Sequence, residues 1–196
     1  MMGLNRGFGE EELKLYFKPC TQLYKNTKGV VEEMKVLLMD IDLPNSEKSE
    51  LVELAYLHKI GFSKKVVRTG FEPLDGALYC KNKNYSFDLV TAVMFSFGAF
   101  EIVERNFPDL LNVYIEHKYY KTAKTELFID LLTYCDLHRS ANGEKIGCKE
   151  RLMDIYTTFG ETHNYSNTIK SLENQFRENI NRVEKMRTHF TIANKT

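Results

Sequence analysis

Apolar residues recur at three- and four-residue spacing through most of this chain, the mark of helices that turn one stripe toward a core. The clearest stripe lies over residues 21–41, through Leu23, Val30, Val31, Met34, Leu37 and Leu38. A shorter helix precedes it in "EEELKLYFK" and is stopped by Pro19. "LPNSEKSE" is a turn in which Asn45 or Ser46 caps the next helix, predicted to run to about residue 60 through Leu51, Leu54, Ala55 and Leu57. Residues 61–71 form a loop. Pro73 then opens a short helix through Ala77, Leu78 and Tyr79, because a first-turn proline forfeits no helical hydrogen bond. A strongly apolar helix follows over 87–97, with Gly98 as a break, and further helices are predicted over 100–105, 109–117 and 122–137. "HRSANGEK" is a turn with Asn142-Gly143 at its tip, and 149–158 is helical up to Gly160. A long, largely polar helix over 165–188 carries Ile169, Leu172, Phe176, Ile180, Val183 and Met186 on its apolar side. The pattern contains no strand alternation, internal repeat or low-complexity tract. It predicts an all-α multi-helix bundle: one helical domain over 1–160, then a C-terminal helix within 161–196 that packs on that domain or on a partner.

Composition narrows the class without naming a function. The 196 residues are 43% apolar, enough for a packed core, and 27 basic residues balance 27 acidic ones. That balance gives no bulk attraction to nucleic acid or membrane. No apolar run reaches the length of a membrane span, and no secretory leader opens the sequence. Cys20, Cys80, Cys135 and Cys148 are scattered without a C-x-x-C pair, which suits reduced thiols in a cytoplasmic protein.

Motifs for the common chemistries are missing: there is no Walker loop, dinucleotide glycine fingerprint, G-x-S-x-G or clustered Cys-His set. His117, His138, His163 and His189 sit in polar or turn contexts and are expected in solvent. His58 differs, because it closes an apolar helix in "AYLHKIGF".

Three stretches in order, "LVELAYLHKIGF", "RTGFEPLDGALY" and "LLTYCDLHRSANGEKIGCKERLMDIYTTFG", carry a resemblance. They are similar to the HD-domain metal-dependent phosphohydrolase superfamily, and within it to a bacterial branch with "LHDIGY", "TGFHPLDGA" and "YADM…ERL". The resemblance spans roughly residues 20–160, and the run 69–77 differs from the branch pattern at one position. It implies a helical bundle holding a metal on an early-helix His, an adjacent His-Asp pair and a distant Asp. Such a metal polarises a phosphoryl oxygen and lowers the pKa of bound water. Set on this chain, the pair's His corresponds to His58 and the distant Asp to Asp136, while the paired Asp is Lys59. The early-helix His falls at Asn26, a further pair of histidines falls among Phe95, Ser96 and Phe97, and the His of "TGFHP" is Glu72.

These departures all fall on the metal site. Unit charges about 4 Å apart interact by roughly 4 kcal/mol at an effective dielectric near 20, so exchanging an anion for an ammonium turns attraction of a dication into repulsion. The resemblance therefore implies a degenerate site with no metal cofactor. Lys59 either takes the metal's place and pairs with Asp136 or reaches outward to solvent. Arg68, Lys64 and Lys65, with Glu72 beside them, form a candidate phosphate-binding loop. Asp75 braces the helix after Pro73, Glu150 and Arg151 form an ion pair along their helix or to a neighbouring one, and Phe95–Phe100 fill core. The expected function is a catalytically inactive binding or regulatory module for a nucleotide, a phosphate or a protein. Two alternatives stand beside it. One is an active phosphohydrolase whose Mn, Fe, Ni, Zn or Mg ion is held by His58, Asp136, Asn26 and Glu72. The other is a protein that oligomerises through its C-terminal helix.

Overall fold

In the computed structural model the chain is described from residue 7 to residue 193, with side chains through residue 187. A short helix α1 (Glu10–Tyr16) leads to α2 (Gln22–Leu37), whose first turn is capped by the Thr21 hydroxyl accepting from the Tyr24 N–H at 3.3 Å. The predicted stripe holds: Val30, Val31, Met34 and Leu37 are buried. Helix α2 ends four residues earlier than its apolar pattern, because Met39 N–H and Asp40 N–H turn onto the Val36 and Leu37 carbonyls. Leu38 and Ile41 still reach the core from that turn. Helix α3 (Asn45–Leu57) begins at Asn45 behind Pro44 and carries no side-chain cap, so neither Asn45 nor Ser46 serves as one.

A single 3-10 turn, Ile60–Phe62, straddles the start of the stretch expected as loop, and α4 (Glu72–Asn82) follows with Pro73 in its first turn. A Cβ on Gly61 would collide with the Glu72 carbonyl and stand 2.8 Å from the Gly76 N–H nitrogen, so the absent side chain lets turn and helix meet backbone to backbone. Asp75 accepts hydrogen bonds from the Thr69 N–H (2.8 Å), the Thr69 hydroxyl (2.9 Å) and the Gly70 N–H (3.1 Å), tying the loop to α4.

Helix α5 (Phe87–Phe95) is apolar nearly all round and buried accordingly. After it the chain turns through Ser96–Gly98, where Phe97 holds a left-handed conformation (φ 54°), uncommon for a bulky side chain. Of the predicted Phe95–Phe100 core cluster Phe95 and Ala99 are buried, while Phe97 and Phe100 are half-buried. Helices α6 (Ala99–Asn106) and α7 (Leu111–Lys118), joined by a 3-10 turn at Pro108–Leu110, form a side layer anchored by the buried Tyr114, whose hydroxyl donates to the Met94 carbonyl at 2.9 Å.

The central element is α8 (Ala123–Leu137), buried without interruption from Leu131 to Leu137 and packed on α2, α3 and α5. Helix α9 (Cys148–Phe159) follows the tight turn that begins at Arg139. The predicted long terminal helix is two: α10 (Asn164–Ser171) and α11 (Glu173–Ala193), separated at Leu172. Helix α11 lies on α8, where Phe176 and Val183 are buried, Asn179 donates to the Asp130 carbonyl at 3.0 Å and Arg182 grips the Asp130 carboxylate at 2.7 and 2.8 Å. Its apolar side is thus met by its own chain. Among the described residues none falls in a β-strand, and no helix is long and apolar enough to cross a membrane.

Candidate functional site

Helices α2, α3, α8 and α9 converge beneath the turn at Phe97 and leave a cavity of about 300 Å³. Asn26 from α2, His58 and Lys59 from the end of α3, Asp136 from the last turn of α8 and Arg151 from the first turn of α9 line it. Residues up to 125 positions apart in sequence thus share one wall. The core is what brings them there: the last two turns of α8 are enclosed on every side, so its end reaches the middle of the bundle.

Lys59 Nζ stands 3.2 Å from Asp136 Oδ2, with side-chain exposures of 14% and 8%, so the pair is shielded from solvent. Of the two placements open to Lys59, the inward one is adopted. Arg151 Nη2 lies 3.4 Å from the other oxygen, Oδ1. Burial alone would raise the Asp136 pKa, but Lys59 and Arg151 outweigh it and hold the carboxyl well below its ordinary range. Burial depresses the Lys59 ammonium, against the pull of Asp136.

Of the two arrangements open to Glu150 and Arg151, Arg151 takes the interhelix one, facing inward onto Asp136 of α8, while Glu150 turns back and accepts from the Gly147 N–H at 2.8 Å. The position of Arg151 in the "ERL" of the third motif was the available signal.

His58 Nδ1 lies 2.7 Å from the Ala55 carbonyl and donates to it, which leaves Nε2 as an acceptor; that atom is buried without a partner. Burial, reinforced by the Lys59 charge, lowers the His58 pKa to about 4, so the ring is neutral at pH 7. The unfolded chain therefore binds a proton that the folded chain refuses between about pH 6.5 and 4, and stability falls as pH drops through that window. Equilibrium denaturation is expected to show about 2 kcal/mol of stability lost to this group between pH 6.5 and 4.5, with His58→Gln removing that component of the slope. Equal slopes in the two proteins would show that His58 does not titrate this way.

Asn26 is held from the other side. Its Nδ2 donates to the Ser140 carbonyl at 2.8 Å, while its Oδ1 is buried and unpaired. Such an unpaired acceptor costs about 1–3 kcal/mol. The turn that supplies Ser140 is clamped to α2: Arg139 Nη2 meets Glu33 Oε2 at 2.9 Å, and Arg139 Nη1 donates to the Gly143 carbonyl at 3.1 Å.

The candidate phosphate loop is not part of this site. Lys64, Lys65 and Arg68 are exposed and absent from the cavity wall, and Lys65 Nζ donates instead to the Leu15 carbonyl at 2.7 Å. Glu72 does line the cavity, half-exposed at the start of α4. Tyr165 of α10, not singled out in the sequence, also faces it; burial and the Asp136 charge push its phenol up to about 12. Among the histidines expected in solvent, His138 is half-buried against the Tyr134 ring at 4.3 Å and His163 caps α10, accepting from the Tyr165 N–H at 3.2 Å; the His189 side chain lies outside the described residues.

The donor set does not fit a divalent ion. Both oxygens of Asp136 face cationic nitrogens, and among the described residues no three His, Cys, Asp or Glu side chains gather as a metal requires. The chain matches no family model, no curated protein and no solved structure.

Proposed function

We propose that this chain is a non-catalytic binding module of the HD-domain type, in which Lys59 stands in for the divalent cation that such a cleft would otherwise hold. The observation that carries this reading is the 3.2 Å contact of Lys59 Nζ with Asp136, next to His58 and Asn26 in the same cavity. The three motifs supply the positions, and the geometry supplies an internal positive charge where the motif calls for a metal. Asp136, tied to two cations, is a poor base for activating water, and a neutral His58 bonded to its own helix offers no acid. The cleft is left to bind a small ligand without turning it over.

A gain of function tests the reading. The double variant Lys59→Asp/Asn26→His is expected to take up about one Mn or Ni ion per chain, read by elemental analysis after loading and desalting, and to lose it again when Asp136→Ala is added. A double variant that folds and takes up no ion would remove the HD-type assignment. Stoichiometric Mn, Fe, Ni or Zn in the unaltered protein, or turnover of a phosphomonoester abolished by Asp136→Ala, would establish the active phosphohydrolase with Glu72 among its ligands.

A further inference from the structure

The polar atoms left over in the cleft describe its ligand more narrowly. His58 Nε2 and Asn26 Oδ1 are both acceptors, both buried and both without a donor, and each is fixed in orientation because its opposite atom is bonded to a backbone carbonyl. Arg151 Nε is a buried donor without an acceptor. The charges, in contrast, are spoken for: Lys59 and Arg151 face Asp136, and Glu72 adds a second carboxylate to the wall. Two cations against two acids leave no surplus for a phosphate. Above this floor the wall is aromatic. Phe62 and Phe159 are 44% and 49% exposed, and Phe97 and Tyr165 lie further in. Exposed aromatic faces at a cleft mouth suit a flat ring, and about 300 Å³ is at the small end of ligand sites.

We propose that the cleft takes an uncharged planar heterocycle whose edge carries N–H donors beside an acceptor, as in a lactam or an aminopyrimidine, with the donors directed to His58 Nε2 and Asn26 Oδ1 and the ring held among the phenylalanines. This rests on the binding-module reading and specifies its ligand; the metal-uptake experiment above tests that reading without any heterocycle, so the two can fail separately.

Calorimetric titration of the full chain with cytosine, adenine and inorganic phosphate decides the matter. At least one of the two bases is expected to saturate at millimolar concentration or below, and phosphate is not. Methylating the edge nitrogens of that base, or substituting His58→Phe, is expected to weaken binding at least about ten-fold, the loss of roughly one buried hydrogen bond. Phe62→Ala, on an exposed side chain that leaves the core intact, is expected to weaken it as well and keeps the comparison open if His58→Phe does not fold. Saturation by phosphate with neither base binding would overturn the proposal, as would failure of both bases to saturate, or unchanged affinity in folded His58→Phe or Phe62→Ala.

Discussion

Replacing Asp136 by asparagine is expected to cost the fold about 3–5 kcal/mol, measured by urea denaturation at pH 7. The substitution keeps the shape and removes the only carboxylate that either buried cation contacts among the described residues: Lys59 Nζ at 3.2 Å and Arg151 Nη2 at 3.4 Å would both be left uncompensated. The large loss reflects stranded charge and not the net worth of the cluster, since burying the three ions already carries a desolvation cost. Replacing all of them, as Lys59→Met/Asp136→Leu/Arg151→Met, is accordingly expected to recover most of the stability. The acid side has a definite sign. A carboxyl whose folded pKa is depressed lends its full contribution above its unfolded value, about 3.9, and that contribution drains away as pH falls toward the folded value. The unaltered protein should lose stability over that range while Asp136→Asn stays flatter. A loss below about 1 kcal/mol for Asp136→Asn at pH 7 would place the cluster among solvent-screened surface pairs.

The second large effect is one whose direction helix propensity predicts wrongly. Gly29 lies inside α2, where alanine should stabilise the helix by about 1 kcal/mol. In the folded chain a Cβ at that position would overlap the Gly143 carbonyl and stand 2.7 Å from the Gly143 Cα. Gly143 cannot withdraw easily: its φ is +82°, and the Gly143 N–H donates to the Ser140 carbonyl at 2.9 Å. Gly29→Ala is therefore expected to destabilise by about 3 kcal/mol and to push away the turn that holds Asn26. Denaturation midpoints of Gly29→Ala and Gly29→Ser, compared with that of Lys25→Ala on the exposed side of the same helix, check this. A midpoint for Gly29→Ala equal to or above that of the unaltered protein would show that the turn does not sit this closely.

Much of the framework is legible in the pattern of residues. Helix α8 announces its burial because "LLTYCDL" has no solvent face, and Thr21 and Thr122, where the pattern begins two helices, are the N-caps of those helices. Misreadings fall where local preference met a tertiary contact. The chain breaks at Leu172, a residue that periodicity runs straight through, and there Leu172 packs against Gly98, where any Cβ would strike it. The loop carrying Lys64, Lys65 and Arg68 has the composition of a phosphate site, yet its direction is set by Asp75 and by the Leu15 carbonyl, which draw it away from the cleft.

Sequence by itself determined the helical class, the positions of most helices and the placing of a cation, Lys59, beside His58 at the end of an apolar helix. Only the tertiary structure decided what that cation does. A lysine on its four methylene carbons can reach inward or outward at little difference in local energy, and no neighbouring residue in the chain chooses between them. The choice comes from Asp136, 77 positions away, which in the enclosed end of α8 has little access to water and accepts the ammonium as its partner, while Arg151 arrives from α9 to take the second oxygen. Distant residues become neighbours through the packing of helices, and a buried charge is tolerated only where such packing delivers its opposite.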